Sequence, residues 1–363
     1  MTGLSLESLL VELAEVPGAS GREAGVAAAI AGRLNAAGIE TRFDRLGNLY
    51  ATILSGQPGA KPTLLLSAHM DTIGLVVRDV DEHGVVRILP IGGVNRRTLL
   101  GLEVWIHGKE RVFGVVGATP PHLTTPAERK KVAPWEQFFV DTGLGASEVR
   151  ALVRPGDWIT FATAPVRLGN GRLSSPGLDN RAGVAAVLWS GLRLAASRAA
   201  LPVDVVLCFT VQEELGTRGA AAAEPAPLPD AAVVVDVGFG DMPGVKPRDS
   251  IGFGSGPALT SGPNIHPGVR RYLAAVAERL GVRVQDEVMA GSSGTDAWEL
   301  QVAGVGIPSA VVSIPLRYMH STVEAVNLAD LEQAARLLEA ACIEADAAEV
   351  WGWSGGPVAR EVE

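Results

Sequence analysis

Apolar residues recur at helical spacing near the start of the chain and then gather into short unbroken runs. Leu6, Leu9, Leu10 and Leu13 share one helical face, with Ser5 placed as an N-cap. Pro17-Gly18 ends that helix, and Val26, Ile30 and Leu34 predict a second, closed by Gly38. Leu49 to Leu54 and Thr63 to Ser67 read as strands, and the second runs straight into Ala68-His69-Met70-Asp71. From Ile73 to about Val166 the texture changes to short strands with little helix. Two alternating runs flank the polar turn Asp81-Glu82-His83-Gly84, which predicts a hairpin. A second strand pair follows around Val104 to Val116, and Trp158 to Phe161 follows a Pro155-Gly156-Asp157 turn.

Alternation of helix and strand then resumes. A long helix is predicted from about Asn180 to Ser197, a strand from Val203 to Val211, and a strand from Ala231 to Val235 ending in Asp236. A helix follows over about Pro267 to Leu280, and a strand over Val282 to Val288. The loop Gly291 to Thr295 precedes a short helix, and the strand Ser309 to Ile314 leads to Arg317-Tyr318-Met319-His320. A last helix is predicted over about Leu328 to Ala347. This organisation predicts an α/β domain over 1–72 and 166–348, an inserted small β domain over 73–165, and a loosely held tail over 349–363.

Composition narrows the function classes. Hydrophobic residues are 47% and charged residues 20% of 363 positions, ordinary for a globular protein. The net charge of −9 disfavours nucleic acid as a partner and leaves small or peptide substrates open. Cys208 and Cys342 lie far apart in apolar settings and read as buried free thiols. No basic leader and no apolar run of about 18 residues is present, so neither a signal peptide nor a membrane span is expected. A cytoplasmic location is the expectation.

The chemistry concentrates at predicted strand ends. His69, the pair Glu213-Glu214, Asp236 and His320 each lie at or just past the carboxyl end of an apolar strand, where open α/β sheets bind ligands. Asp179 joins them just before a helix. Two histidines with several carboxylates form a hard N/O set suited to Zn²⁺, Co²⁺ or Mn²⁺. The set exceeds what one ion needs, which implies two, and two ions about 3.5–4 Å apart need a bridging group. Asp179, short and stiff, is the candidate bridge. Asp71, two residues past His69 on an extended segment, is placed to accept the free ring N–H of His69. Glu213 and Glu214, if extended, point to opposite sides, so one can ligate while the other faces an activated water.

Each residue alone has an ordinary reading: a core histidine, a helix cap, a turn acid, an exposed pair. His83 and His107 sit in hairpins and read as exposed turn residues, and His266 before Pro267 as structural. Gly291 to Thr295 lacks the lysine of a phosphate loop and reads as a substrate-pocket loop, which makes Gly294, Thr295 and Asp296 candidate substrate-binding residues.

The motifs around these positions resemble those of the dinuclear-metal aminopeptidases that include tetrahedral (TET) aminopeptidase, glutamyl aminopeptidase and proteins labelled cellulase M. The matching blocks are Ala68-His69-Met70-Asp71, Gly177-Leu178-Asp179-Asn180-Arg181, Val211-Gln212-Glu213-Glu214, Val235-Asp236-Val237, Gly294-Thr295-Asp296-Ala297 and Arg317-Tyr318-Met319-His320-Ser321. Within the inserted stretch, Pro90-Ile91-Gly92-Gly93-Val94, Ile106-His107-Gly108-Lys109 and Pro120-Pro121-His122-Leu123 also match. The resemblance implies an α/β metallo-exopeptidase fold, a central mixed sheet flanked by helices, with an inserted β-barrel-like oligomerisation domain. It implies two divalent ions, Zn²⁺ or Co²⁺ with Mn²⁺ as a further candidate. His69 and Asp236 would hold one, Glu214 and His320 the other, with Asp179 bridging and Glu213 as general base.

It further implies a cis peptide after Asp179, peptide substrates attacked at their N-termini, and a homo-oligomer between a dimer and a tetrahedral dodecamer. His122 has two readings, a solvated loop or a reach into a neighbouring subunit's site. Two positions depart from the family pattern. Thr72 stands where the family usually has Glu, which removes a charge near the site, and Thr322 where it often has Pro. A related amidohydrolase or deacylase is the alternative activity. A glycosidase is disfavoured, because glycosidases need two flanking carboxylates and usually no metal.

Overall fold

Uninterrupted runs of Val, Leu, Ala and Ile make strands that are buried on both faces, as a parallel sheet requires. Four such strands, Asp204–Thr210, Thr63–His69, Ala231–Phe239 and Ser309–Arg317, lie side by side in that order and run parallel. The computed structural model describes residues 5–123, 125–126, 130–197 and 201–354. These four strands form the centre of an 11-stranded mixed sheet. Leu49–Ile53 and Thr41–Phe43 extend it antiparallel on one side. Ala325–Asn327, Arg172–Ser174 and Val166–Leu168 extend it on the other, while Ala258–Ser261 and Gln285–Val288 branch from Ser309–Arg317.

Helices pack against this sheet. Leu178–Ala196 is buried along most of its length, as expected of a helix that is apolar on nearly all sides. It meets the sheet together with the helix Leu328–Ile343, and the helix Leu6–Glu15 packs against Leu178–Ala196. The Ser5 side chain accepts the Ser8 N–H and starts the Leu6–Glu15 helix. Leu9, Leu10, Leu13, Ile30, Leu65, Leu66, Phe209 and Leu338 belong to one continuous core.

The inserted stretch closes on itself. Gly74–Val80, Val86–Ile91, Phe139–Asp141, Arg111–Gly117, Glu103–His107 and Trp158–Phe161 form a closed six-stranded antiparallel barrel. Its hairpin turn forms because Asp81 Oδ1 accepts the His83 and Val85 amides and Gly84 takes a φ of 85°. Closure removes the exposed edges a small sheet would otherwise present. Leu75, Val77, Ile88, Ile106 and Ile159 fill a core separate from that of the main sheet.

Some local expectations change. His107 is not an exposed turn residue: it ends a barrel strand, stacks on Trp158 at 3.8 Å and bonds Thr160 Oγ1 through Nε2 at 2.8 Å. His266 is structural, as expected, since its Nδ1 accepts the Val269 N–H at the start of the Pro267–Leu280 helix. Where a tail was expected, Ala347–Ser354 forms a helix, and Trp353 packs against Tyr272 with ring centres 5.4 Å apart. The rest of that expected tail, 355–363, lies outside the described residues. No helix among the described residues is long and apolar enough to cross a membrane.

Candidate metal centre

The register of the parallel strands gathers the site. Ser67 pairs with Val234, and hydrogen bonding between those two strands stops there. His69 and Asp236 each lie two residues further, so both side chains fall on the same face of the opened sheet. Asp236 does not end its strand, contrary to the sequence expectation. The strand continues to Phe239 because its other edge stays paired with Ser309–Arg317 as far as Leu316.

Glu213 and Glu214 are not extended either. Their strand ends at Thr210, Gln212 turns to a left-handed φ of 55°, and Glu213–Leu215 forms a single 3-10 turn. That turn, rather than strand alternation, separates the two side chains. Asp71 holds it in place: Oδ1 accepts the Glu213 amide at 2.9 Å and Oδ2 the Glu214 amide at 3.1 Å. The Ser20 hydroxyl adds a third bond at 2.6 Å. His69 Nδ1 lies 3.1 Å from the main-chain carbonyl of Asp71 and 3.5 Å from its carboxylate, so the backbone is the nearer partner of that ring nitrogen.

Asp179 sits at the centre. Its Oδ1 is 3.3 Å from His69 Nε2, and its Oδ2 is 3.4 Å from His320 Nε2. Asp236 Oδ1 stands 3.6 Å from His69 Nε2, and Glu214 Oε2 stands 3.4 Å from His320 Nε2. Two triads result, His69–Asp179–Asp236 and Asp179–Glu214–His320, each with one donor atom per residue and all donors within 4.8 Å of one another. Glu213 Oε2 lies 3.9 Å from His69 Nε2, at the margin of the first triad. The peptide bond between Asp179 and Asn180 is cis, and Asn180 is fixed by a bond from Nδ2 to the Val235 carbonyl at 2.8 Å.

Two supports were missed in the sequence. Glu324 is fully buried, and its Oε2 accepts the Asp179 amide at 3.1 Å while Oε1 accepts the His320 amide at 2.8 Å. Gly92 and Gly93, at the end of a barrel strand, pass so close to Glu214 and His320 that neither position has room for a side chain. The glycine pair was visible as a motif. Glu324 gave one weak signal, an acid beside the short apolar strand Ala325–Asn327.

The charge balance of the cluster calls for cations. Burial raises the Glu213 carboxyl to about 9, with Asp236, Asp296 and Glu214 adding to the effect against the pull of His69. Burial also raises Glu214 and Asp236. Burial alone would lower His69, yet Asp236, Asp179 and Asp71 hold it well above its ordinary value. Hydrogen bonds to Asp179 and Glu214 push His320 up to about 11. Burial would raise Asp179, but its bonds to His320 and His69 bring it down to about 2. Without cations, these carboxylates are countered only by taking up protons, on the two imidazoles and on carboxyls such as Glu213. Glu214 Oε1 is buried without a hydrogen-bond partner. An imidazole and carboxylate set with too few positive charges and an orphaned carboxylate oxygen fits divalent metal ions.

The remaining candidates are placed differently. Asp296 is fully buried, accepts the Thr210 hydroxyl, and is raised by burial to about 7 within the field of His69 and Asp236. Thr295 is occupied locally, its Oγ1 accepting the Ala297 amide and bonding Ser293. Gly294 turns the loop with a φ of 64°. His122 is exposed on the barrel turn Pro121–Leu123, and among the described residues no hydrogen bond or ion pair joins it to the cluster.

Comparison with known proteins bears on the family and the fold. Residues 47–337 match the sequence model of the family described as M42 glutamyl aminopeptidase. Lysyl aminopeptidase of Pyrococcus furiosus is 34% identical over 337 residues, spanning 92% of this chain and 95% of that protein. Among solved structures, a TET aminopeptidase from a marine sediment Thaumarchaeota archaeon superposes with a TM-score of 0.89 at 29% identity, covering 96% of this chain and 98% of that one. The Pyrococcus horikoshii TET1 peptidase, described as assembling into a tetrahedron or a large octahedral shell, gives 0.82 at 30% identity over 94% of this chain and all of its own.

Proposed function

The chain belongs to the M42 glutamyl aminopeptidase family, and from that premise we propose that it removes N-terminal residues from peptides with two divalent ions, Zn²⁺ or Co²⁺, held in the two triads. The observation that carries this reading is Asp179, which offers one carboxylate oxygen toward each histidine. His69, Asp236 and Asp179 would hold one ion, and Asp179, Glu214 and His320 the other. When bound, such ions lower the pKa of an attacking water and draw charge from the scissile carbonyl.

The chain's own residues do the rest. Glu213 faces the cluster without belonging to either triad, so it is free to take the water's proton and later deliver it to the leaving amine. Asp71 acts on Glu213 and Glu214 as a positioning group, because it holds both amides of their turn. Glu324 positions Asp179 and His320 in the same way. The buried carboxylates favour a substrate with a protonated α-amine, which selects N-termini. The Gly294 to Asp296 loop would border the bound peptide, with the main-sheet segments 1–72 and 166–348 as the catalytic unit.

Assembly into a homo-oligomer is part of the proposal. Phe113, Val115 and Leu123 are exposed on the barrel and give it an apolar surface to bury, and His122 beside Leu123 would then approach a neighbouring subunit. Metal analysis of the purified chain, paired with a panel of aminoacyl-nitroanilides and N-acetylated peptides, tests the activity. Two ions per chain and cleavage of free N-termini are expected. Cleavage confined to blocked peptides would move the protein to the deacylase reading.

A further inference from the structure

A crevice of about 190 Å³ opens where the barrel meets the main domain. Arg181 floors it, and Thr72, Thr160 and Arg111 line it. Arg181 is the largest fully buried side chain among the described residues, at 1% exposure. Its Nη2 makes only two long contacts, to the carbonyls of Val16 at 3.5 Å and Gly18 at 3.4 Å. Its Nη1 is buried and has no hydrogen-bond partner. No ion pair joins Arg181 to any described carboxylate.

The neighbouring acids Asp71 and Glu23 act on it through charge, but among the described residues neither pairs with it directly. Both oxygens of Asp71 accept bonds from the Glu213–Glu214 turn and Ser20. Glu23 Oε1 accepts the amides of Gly21 and Gln212. The nearer of its two acceptors, the Gly18 carbonyl, is shared by the Thr72 amide at 3.1 Å, the Thr72 hydroxyl at 3.3 Å and Arg181 Nη2. Donors outnumber acceptors at this junction. A buried guanidinium with Nη1 left without an acceptor is costly, and its fork of N–H groups matches a compact anion. Glu15, the one carboxylate lining the crevice, is exposed at its rim.

We propose that this crevice binds a small singly charged anion, a halide or a small carboxylate, which completes the hydrogen bonding of Arg181 at the junction of barrel and main domain. The Thr72 hydroxyl is placed to add a donor, since it and Arg181 meet at the same carbonyl oxygen. Arg111, held over the Trp105 ring at 4.1 Å on the barrel side, adds a second positive charge to the lining. The anion would therefore tie the two domains together, and its binding does not depend on the peptidase reading.

Thermal unfolding of the metal-loaded chain tests this. The buffer holds ionic strength constant with a bulky organic sulfonate, and chloride or acetate is titrated in separately. A saturable rise in Tm is expected with at least one. Chloride alone would mark a halide site, acetate alone a carboxylate site, and both a site for compact monoanions in general. The Thr72→Glu variant supplies a tethered carboxylate, so it should lose that anion dependence while keeping both metal ions. A crystal grown with bromide or acetate gives an independent readout, with density expected in the crevice beside the Arg181 guanidinium even if the variant fails to fold. No saturable response to either anion, an equal response in Thr72→Glu, or absence of density at Arg181 would overturn the proposal.

Discussion

A methyl group at Gly93 would stand 2.5 Å from Nδ1 of His320 and 2.8 Å from its Cε1. The barrel thus presses bare backbone against a residue of the metal triad, and the inserted domain forms one wall of the site. Gly93→Ala should push the His320 ring away from Asp179 and Glu214. The second triad should then lose its ion first, because His320 contributes nothing to the triad of His69. Displaced ligands and their supports typically cost about 10–100-fold in metal affinity or activity. Isothermal titration of the chelated variant should show one tight ion where the parent shows two. Two ions bound with parental affinity would refute the wall role of Gly93.

The sequence made the outline of this centre legible because strand periodicity and register do most of the gathering. His69 and Asp236 meet since Ser67 and Val234 are paired and each acid or imidazole follows two residues later. What escaped was whatever depends on contacts between distant segments. The end of the Ala231–Phe239 strand was misplaced because only one of its edges is released at Val234, which an apolar run does not reveal. The Glu213-Glu214 pair was read as extended because the left-handed turn at Gln212 occurs at a residue with no propensity for it. Glu324 was passed over since its burial comes from the amides of Asp179 and His320, one of them 145 residues away in sequence.

Glu324→Gln removes one of two acceptors from a buried position. A carboxylate offers an oxygen to each amide, whereas the glutamine side chain must turn its NH₂ toward one of them, setting donor against donor. Either Asp179 or His320 then shifts. The expected result is metal affinity lower by about 10–100-fold, with activity recovered in part at high metal concentration. Parental affinity in the variant, measured by competition with a chelator of known strength, would show that Glu324 is only filling space.

Glu213→Gln separates proton transfer from metal binding. The side chain keeps its size and its place in the 3-10 turn, and neither triad includes it. Two ions per chain should be retained. Loss of general base and acid action should lower kcat by about 100- to 10,000-fold while KM changes little. Full activity in this variant would transfer the proton-moving role to another group, and Asp296 would then be the first to examine.

Removing the metal should make stability depend on pH in one direction. In the metal-free cluster Glu213 is raised from 4.5 to about 9 and Asp296 from 3.8 to about 7. An acid whose folded pKa is raised binds its proton more tightly when folded. Its stabilising protonation is fully present below the unfolded value and is lost as pH climbs through the folded one. His320, raised from 6.5 to about 11, acts the same way, since its charge in the fold is favourable at low pH and lost as pH rises. The lowered pKa of Asp179, about 2, works in the opposite sense but only below pH 4. Chelated protein should therefore lose Tm steadily between pH 5 and 9. Divalent ions take the place of those protons and bind better as the ligands deprotonate, so the loaded protein should show a much flatter profile. The stabilisation conferred by metal, the gap between the two curves, should widen with pH. Parallel curves for chelated and loaded protein across that range would mean that the buried carboxylates are neutralised by something other than metal ions.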